Sequence, residues 1–338
     1  MLRRHSLLFS FVVLLLLTAA GLLWGSVHLA PADVLTALFN TAEAEPSTAF
    51  IVWQSRLPQV CTALLSGAAL AVSGLLMQTL FANPLADPGI LGVNSGAALG
   101  VALVMLLMGG TAEAGGFVLS GYLLTILAAL AGACAVTLLL LACSALLRGK
   151  LMLLITGVMV SYVVSSAISL LNFYATEQGV QSYIIWGMGS FGGVNLERLP
   201  AYALTIFVGL TGAMLLCKPL NALLLGDNYA GNLGVRVRQM RFWVLLLASW
   251  LTAAVTALCG PIAFVGLAVP HAARLLISTS DHRRLLPLTA LWGANTALLC
   301  LLITYLPGER GVLPINALTP VIGVPVVMYI LLKGRKGA

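Results

Sequence analysis

Ten apolar runs recur along the chain, at residues 7–27, 60–80, 90–108, 117–147, 151–173, 199–217, 242–259, 261–277, 285–306 and 317–332, and only the eighth contains a formally charged residue, Arg274. Crossing about 30 Å of hydrocarbon takes some 20 residues of helix, so each run has about the length of one membrane crossing. Backbone groups find no water partner in lipid, which makes every crossing a helix. Only 8% of the 338 residues are charged and the mean hydropathy is +1.05, against roughly a quarter charged in a soluble domain. The chain reads as one all-α polytopic membrane domain over residues 1–338. The run at 117–147 is too long for one straight crossing and is expected to tilt or to project beyond the bilayer.

Charge placement orients the bundle. With the N-terminus inside, one face collects Arg3, Arg4, Arg148, Lys150, Lys218, Arg236, Arg238, Arg241, Arg274, Arg283, Arg284, Lys333, Arg335 and Lys336. The other receives Arg56, Arg198 and Arg310. Fourteen against three places both termini in the cytoplasm. The net charge of +7 is therefore a topology signal, and no basic stripe interleaved with aromatics points to nucleic acid. Arg3 and Arg4 ahead of an apolar run resemble a signal peptide, but the run continues through Leu22, Leu23 and Trp24, as a retained first helix does.

Chemistry inside the membrane is sparse. Asp33, Glu43, Glu45, Glu113, Glu177, Glu197 and Glu309 map to outer loops, and Asp87, Asp227 and Asp281 to inner ones. An ion-coupled carrier is expected to bury an ionisable group in mid-membrane, so the driving force is sought outside this chain. The six cysteines lack CxxC pairing and read as small core residues. No nucleophile, acid pair or metal cluster supports a membrane-embedded enzyme.

The one sizeable polar feature is residues 218–241, KPLNALLLGDNYAGNLGVRVRQMR, between the sixth and seventh runs. Leu225, Tyr229, Leu233 and Val237 recur every four residues and are expected to share a helical face, with Asp227, Asn228, Asn232 and Arg236 turned away from it. That pattern is a cytoplasmic docking surface, or a loop lying on lipid headgroups. Elsewhere, Gly67, Gly74 and the small residues from Gly92 to Ala98 allow close helix approach, while Pro84, Pro88 and Gly260-Pro261 break the chain between runs.

Arg56-Leu57-Pro58, the runs Gly67 to Gln78, Asn83 to Gly92, Leu225 to Val235 and Cys259 to Leu276, and Asp281 to Pro287 together resemble the FecCD family of ABC-transporter permeases, importers of iron–siderophore complexes, haem and vitamin B12. The resemblance implies the type II importer fold, with ten transmembrane helices in the bacterial inner membrane. It also implies a homodimer with the path at its interface, two cytoplasmic ATPase subunits and a periplasmic substrate-binding protein. It further implies that no cofactor is bound by this chain and that ATP and Mg sit on the partner ATPase. The coupling residues would be Leu225, Asp227, Tyr229, Ala230, Leu233, Gly234 and Arg236, with Ala230 and Gly234 keeping the family's Ala-x-x-x-Gly spacing.

On the outer face Arg56 matches the first arginine of the family's Arg-Leu-Pro-Arg motif, which pairs with acids of the binding protein. Gln59 replaces the second, and Arg310 is expected to compensate. Headgroup anchoring is the other reading of Arg56. Candidate path residues are Ser161, Ser165, Ser166, Ser169 and Asn172 on the fifth run, followed by Trp186, Met188 and Ser190. Serines 161, 165 and 169 share a helical face, suited to an aqueous wall or to helix contact. His271 is expected to pack between helices, and His282 carries no specific signal. Ala82 and Leu313-Pro314-Ile315-Asn316 depart from the family pattern, as does the ninth run, which lacks an aspartate common near its outer end. An iron chelate or haem is the first expectation for the cargo and cobalamin the second; a carrier or channel without an ATPase is the competing class. Four runs follow the first outer loop and four follow the coupling segment, so related halves would be inverted.

Overall fold

The computed structural model describes residues 6–334 except 42, 108–111, 115–116, 120, 148–149 and 309–310. Arg310, expected at the binding-protein interface, thus lies outside the described residues, as do Arg3, Arg4, Arg148, Arg335 and Lys336 of the charge count.

The first helix, α1 (Ser6–Leu23), is apolar all round and largely uncovered by the rest of the chain, the exposure of a lipid-facing span. Beyond it, α2 (Pro31–Phe39) and α3 (Pro46–Ile51) each start on a proline, whose missing N–H costs nothing in a first turn. Val34, Ala37 and Val52 give this outer pair a small core of its own, and the indole of Trp53 donates to the Ala37 carbonyl at 2.9 Å. A π-helical stretch, Val52–Arg56, leads into α4 (Leu57–Phe81), the central helix of the bundle. Around it stand α5 (Val93–Ala102, prolonged by a π-helical Leu103–Leu107), α6 (Gly121–Leu146), α7 (Lys150–Tyr174), α9 (Leu199–Leu215), α12 (Val237–Cys259), α13 (Val265–Ile277), α14 (His282–Thr304) and α15 (Ile315–Gly334). Three short helices cap the ends: α8 (Glu177–Gly187) outside, α10 (Cys217–Leu223) and α11 (Asp227–Asn232) inside.

Among the described residues, six of these segments are long and apolar enough to span by themselves, α9 is so together with α10, which bends away from it by 54°, and three apolar helices are shorter. The total is the ten expected. The run at 117–147 does not tilt as one helix. It divides, with β2 (Phe117–Leu119) pairing antiparallel to β1 (Ala112–Ala114) and α6 beginning at Gly121. The run at 261–277 is likewise helical only from Val265, because Gly260 (φ +77°) and Pro261 stop the preceding helix and residues 261–264 join the two helices outside either of them. Such backbone survives at membrane depth because protein covers most of it.

Close packing fixes α4. A Cβ on Gly74 would stand 1.9 Å from the Gly266 carbonyl of α13, and one on Gly67 would stand 2.2 Å from the Gly293 carbonyl of α14, so backbones touch where only glycine fits. Packing also reveals the repeat for which the residues give no echo. Exchanging α4 with α12, α5 with α13, α6 with α14 and α7 with α15 maps α4–α14 onto α12–α6, α5–α6 onto α13–α14, and α5–α7 onto α13–α15, all of them packed pairs.

Candidate functional site

At the inner end, α10 and α11 form a compact knob. Gly226 (φ +99°) and Gly234 (φ +84°) bound α11, and each occupies a left-handed backbone position that favours glycine. The Gly234 N–H donates to the Gly231 carbonyl at 2.9 Å and the Val235 N–H to the Ala230 carbonyl at 3.0 Å, the paired bonds of a helix-ending Schellman turn. The Ala-x-x-x-Gly spacing therefore joins the carbonyl acceptor of that turn to the glycine that makes it. Ala230 faces the body of the protein, fully covered, whereas Leu225, Tyr229 and Leu233 are 61%, 54% and 59% exposed. Val237, expected on the same face, starts α12 and packs on the core instead, because α11 stops at Asn232. Arg236 is exposed, and Asp227 in the first turn of α11 lies 3.8 Å from Arg241 of α12, holding the knob against its neighbour.

The outer end is built around α8. Thr176 caps it, accepting the Gly179 N–H at 3.2 Å, and Trp186 stacks on Tyr183 with ring centroids 6.1 Å apart. Trp186 borders a cavity of about 310 Å³ together with Met105, Tyr122, Gln178 and Ser182, and among the described residues its buried indole N–H has no hydrogen-bond partner. Gly189 (φ +72°) turns the chain back, so that Ser190 N–H donates to the Cys259 carbonyl at 2.8 Å while the Met188 carbonyl accepts the Asn316 N–H at 3.1 Å. Met188 and Ser190 are exposed beside the ends of α12 and α15.

The serines of α7 separate. Ser165, Ser166 and Ser169 are exposed on its uncovered side, with Ser169 Oγ donating to the Ser165 carbonyl at 3.0 Å. Ser161 is turned towards Gly92 instead, its Oγ donating to the Gly157 carbonyl at 3.1 Å, and Asn172 is half-buried.

The docking role expected for Arg56 is corrected by its surroundings. Arg56 is only 5% exposed, and its guanidinium donates to the carbonyls of Leu22, Leu23 and Val27 at 2.8, 2.8 and 2.6 Å. The first two belong to the last turn of α1 and the third to the loop that follows, so the arginine ties that helix end to its loop from inside rather than standing as a surface charge. Gln59 is half-buried, accepting from Tyr305 Oη and donating to Ser55 Oγ. Of the outer-face cations among the described residues, Arg198 lies over the Tyr122 ring, 4.2 Å from its centroid. His271 packs as expected, its Nε2 2.7 Å from the Pro84 carbonyl. His282 does carry a role, since it is buried between α4 and α10. Its partners, 61 and 203 residues away in the chain, leave no local pattern to read.

Comparison with known proteins agrees with this architecture. The FecCD transport family matches residues 13–333. The vitamin B12 import system permease protein BtuC of Citrobacter koseri is 36% identical over 96% of this chain and 93% of its own length. Its namesakes from Escherichia coli and Salmonella typhi are 35% and 36% identical, each over 96% of this chain and 94% of their own length. A solved structure described as an inward-facing conformation of an ABC transporter, assigned to the metal-chelate type, superposes with a TM-score of 0.83 at 30% identity, covering 97% of this chain and 98% of that one. With its ten apolar helices, the chain is a multi-pass permease of the bacterial inner membrane and belongs to the FecCD transport family.

Proposed function

We propose that this permease works as a homodimer driven by two cytoplasmic ATPase subunits, receiving cobalamin from a periplasmic binding protein and passing it inward between the two copies. The observation that carries the reading is the knob itself, Tyr229 on the short helix α11 with Leu225 just before it and Leu233 just after it, three exposed side chains set between glycine turns at the inner face. Apolar groups kept in that position are matched by a groove on another protein, and nucleotide-driven closure there would lever the spans above. The lack of any Asp or Glu within the ten apolar helices supports an external motor. The uncovered side of α7, bearing Ser165 and Ser169, suits the face that a second copy completes.

For the cargo, relatives named for vitamin B12 import across nearly the whole chain favour cobalamin over an iron chelate, reversing the order expected from the residues. The structural likeness to a metal-chelate transporter keeps an iron chelate or haem as the second reading. Purification of the tagged permease is expected to bring down an ATPase subunit, and replacing residues 225–234 by a flexible linker is expected to lose it. In proteoliposomes containing that complex and its binding protein, ATP-dependent accumulation of labelled cyanocobalamin supports the first cargo and of a ferric siderophore or haem the second. Uptake driven by an ion gradient without any ATPase overturns the whole reading.

A further inference from the structure

Where α4, α10, α13 and α14 meet at the inner end, polar side chains, buried at Thr79, Gln78, His271 and His282 and half-buried at Asn221, Asp281 and Arg274, form a continuous chain that neither docking nor pore lining explains. Asn221 of α10 donates from Nδ2 to Asp281 Oδ1 at 2.6 Å, and Asp281 in turn caps α14. Its amide nitrogen being so used, Asn221 Oδ1 is the acceptor for both the His282 backbone N–H and Nδ1, each at 2.8 Å. The network thus assigns the proton of a neutral His282 to Nδ1 and leaves Nε2 to accept from Thr79 Oγ1, 2.8 Å away in the last turn of α4; the single hydroxyl proton of Thr79 then turns from the Leu75 carbonyl, 2.9 Å from the same oxygen. His282 is 1% exposed, so no water replaces a lost partner easily.

The same turn of α4 is tied on its other side. Pro270 has no N–H to offer the Gly266 carbonyl four residues back, and Gln78 Nε2 reaches that carbonyl at 3.4 Å and the Leu267 carbonyl at 3.1 Å. Gln78 Oε1 accepts Arg274 Nη1 at 2.7 Å, and His271 holds Pro84 in the loop 82–92 that follows α4. A path of short bonds therefore runs from α10 through His282 and Thr79 into the end of α4, and from there to α13 and the loop.

We propose that Asn221, His282 and Thr79 are positioning residues that deliver displacement of the knob to the inner end of α4 and to residues 82–92. The proposal rests on the reading of α11 as the ATPase-docking element. Mechanically, α10 continues into α11 through Leu224, Leu225 and Gly226, while the 54° bend between α9 and α10 lets α10 swing without its own span. Breaking a buried bond strands polar atoms, so α10 and the end of α4 move together rather than slide past each other.

The test is hydrogen exchange of peptides covering 82–92 in the full permease–ATPase complex, with and without ATP and vanadate. Wild type is expected to show a nucleotide-dependent change of about tenfold, within the usual range of coupling between sites. Thr79→Val, nearly isosteric but without the hydroxyl, and Asn221→Ala are expected to keep the bound ATPase and the nucleotide-free exchange while losing most of that change. Thr79→Ser should restore it. A full nucleotide response in both Thr79→Val and Asn221→Ala overturns the proposal. So does exchange already raised without nucleotide in Thr79→Val, which makes the bond merely structural. A wild-type permease that never retains an ATPase instead overturns the docking reading beneath it.

Discussion

Truncating Tyr229 tests the knob most directly. A tyrosine side chain offers about 200 Å² when fully buried, and 54% of it is open here, so docking has about 100 Å² of this one ring to cover. At ~25 cal/mol per Å² that is ~2.5 kcal/mol, of which alanine retains a small part, leaving a loss of ~2 kcal/mol or about 30-fold in Kd. The fold should not notice, because an exposed substitution away from packing changes stability by about 0.5 kcal/mol or less and alanine is the better helix former. The assay is titration of detergent-solubilised Tyr229→Ala permease with the purified ATPase subunit, alongside thermal unfolding of the permease alone. Ala230→Leu provides the contrast, since its extra carbons have no room beneath the knob and should lower the melting temperature first. An affinity within about twofold of wild type, with melting unchanged, would refute docking through this face.

Two further outcomes bear on the ends of helices. Arg56→Ala strands three carbonyls, two in the last turn of α1 and one in the loop beyond it, each bonded to a charged donor worth ~1.5–3 kcal/mol, so thermal unfolding should fall by several degrees; normal melting with weakened binding-protein affinity would instead restore its surface role. Asp281 is held below the usual carboxylate range, first by the Asn221 amide and then by the Arg283 N–H. Its folded value is the lower one, so its stabilisation is whole above 3.8 and is lost as pH falls through the depressed value. Asp281→Ala should therefore cost about 1 kcal/mol at pH 7, and its melting curve should begin to approach wild type below pH 3.8 and meet it once pH has fallen through the depressed value; a gap that persists beyond that would show that the charge is not what caps α14.

The spans were legible because lipid imposes one rule on every residue of a crossing, and hydropathy measures obedience to it. Hydropathy does not distinguish how an apolar segment is covered, which is why Phe117–Leu119 reads as the start of a crossing yet forms a strand, and why residues 261–264 read as part of a helical run yet do not form helix. The knob was legible for a local reason, since both turn bonds of α11 lie within the Ala230–Val235 stretch. Arg56 was not. A lone arginine beside an apolar run has the same sequence signature whether it meets headgroups, a partner or the carbonyls of another helix, and only the path of the chain from Leu22 to Val27 decides among them.

The inverted packing explains why the bundle has two irregular segments and why they differ. α5 and α13 occupy exchanged positions, and each short helix is preceded by non-helical backbone, 82–92 at the inner end and 260–264 from the outer end. The outer segment starts beside α8, where Ser190 N–H meets the Cys259 carbonyl and a Cβ on Gly260 would stand 2.5 Å from the Trp186 carbonyl, so it is held through backbone contacts on the side a binding protein would approach. The inner segment is held through side chains, Pro84 by His271 and the preceding turn of α4 by Gln78 and Thr79. Symmetry in packing therefore coexists with asymmetry in chemistry. A repeat needs only helix length and small residues at the crossings to be preserved, which leaves the residues at each face free to answer to a different partner.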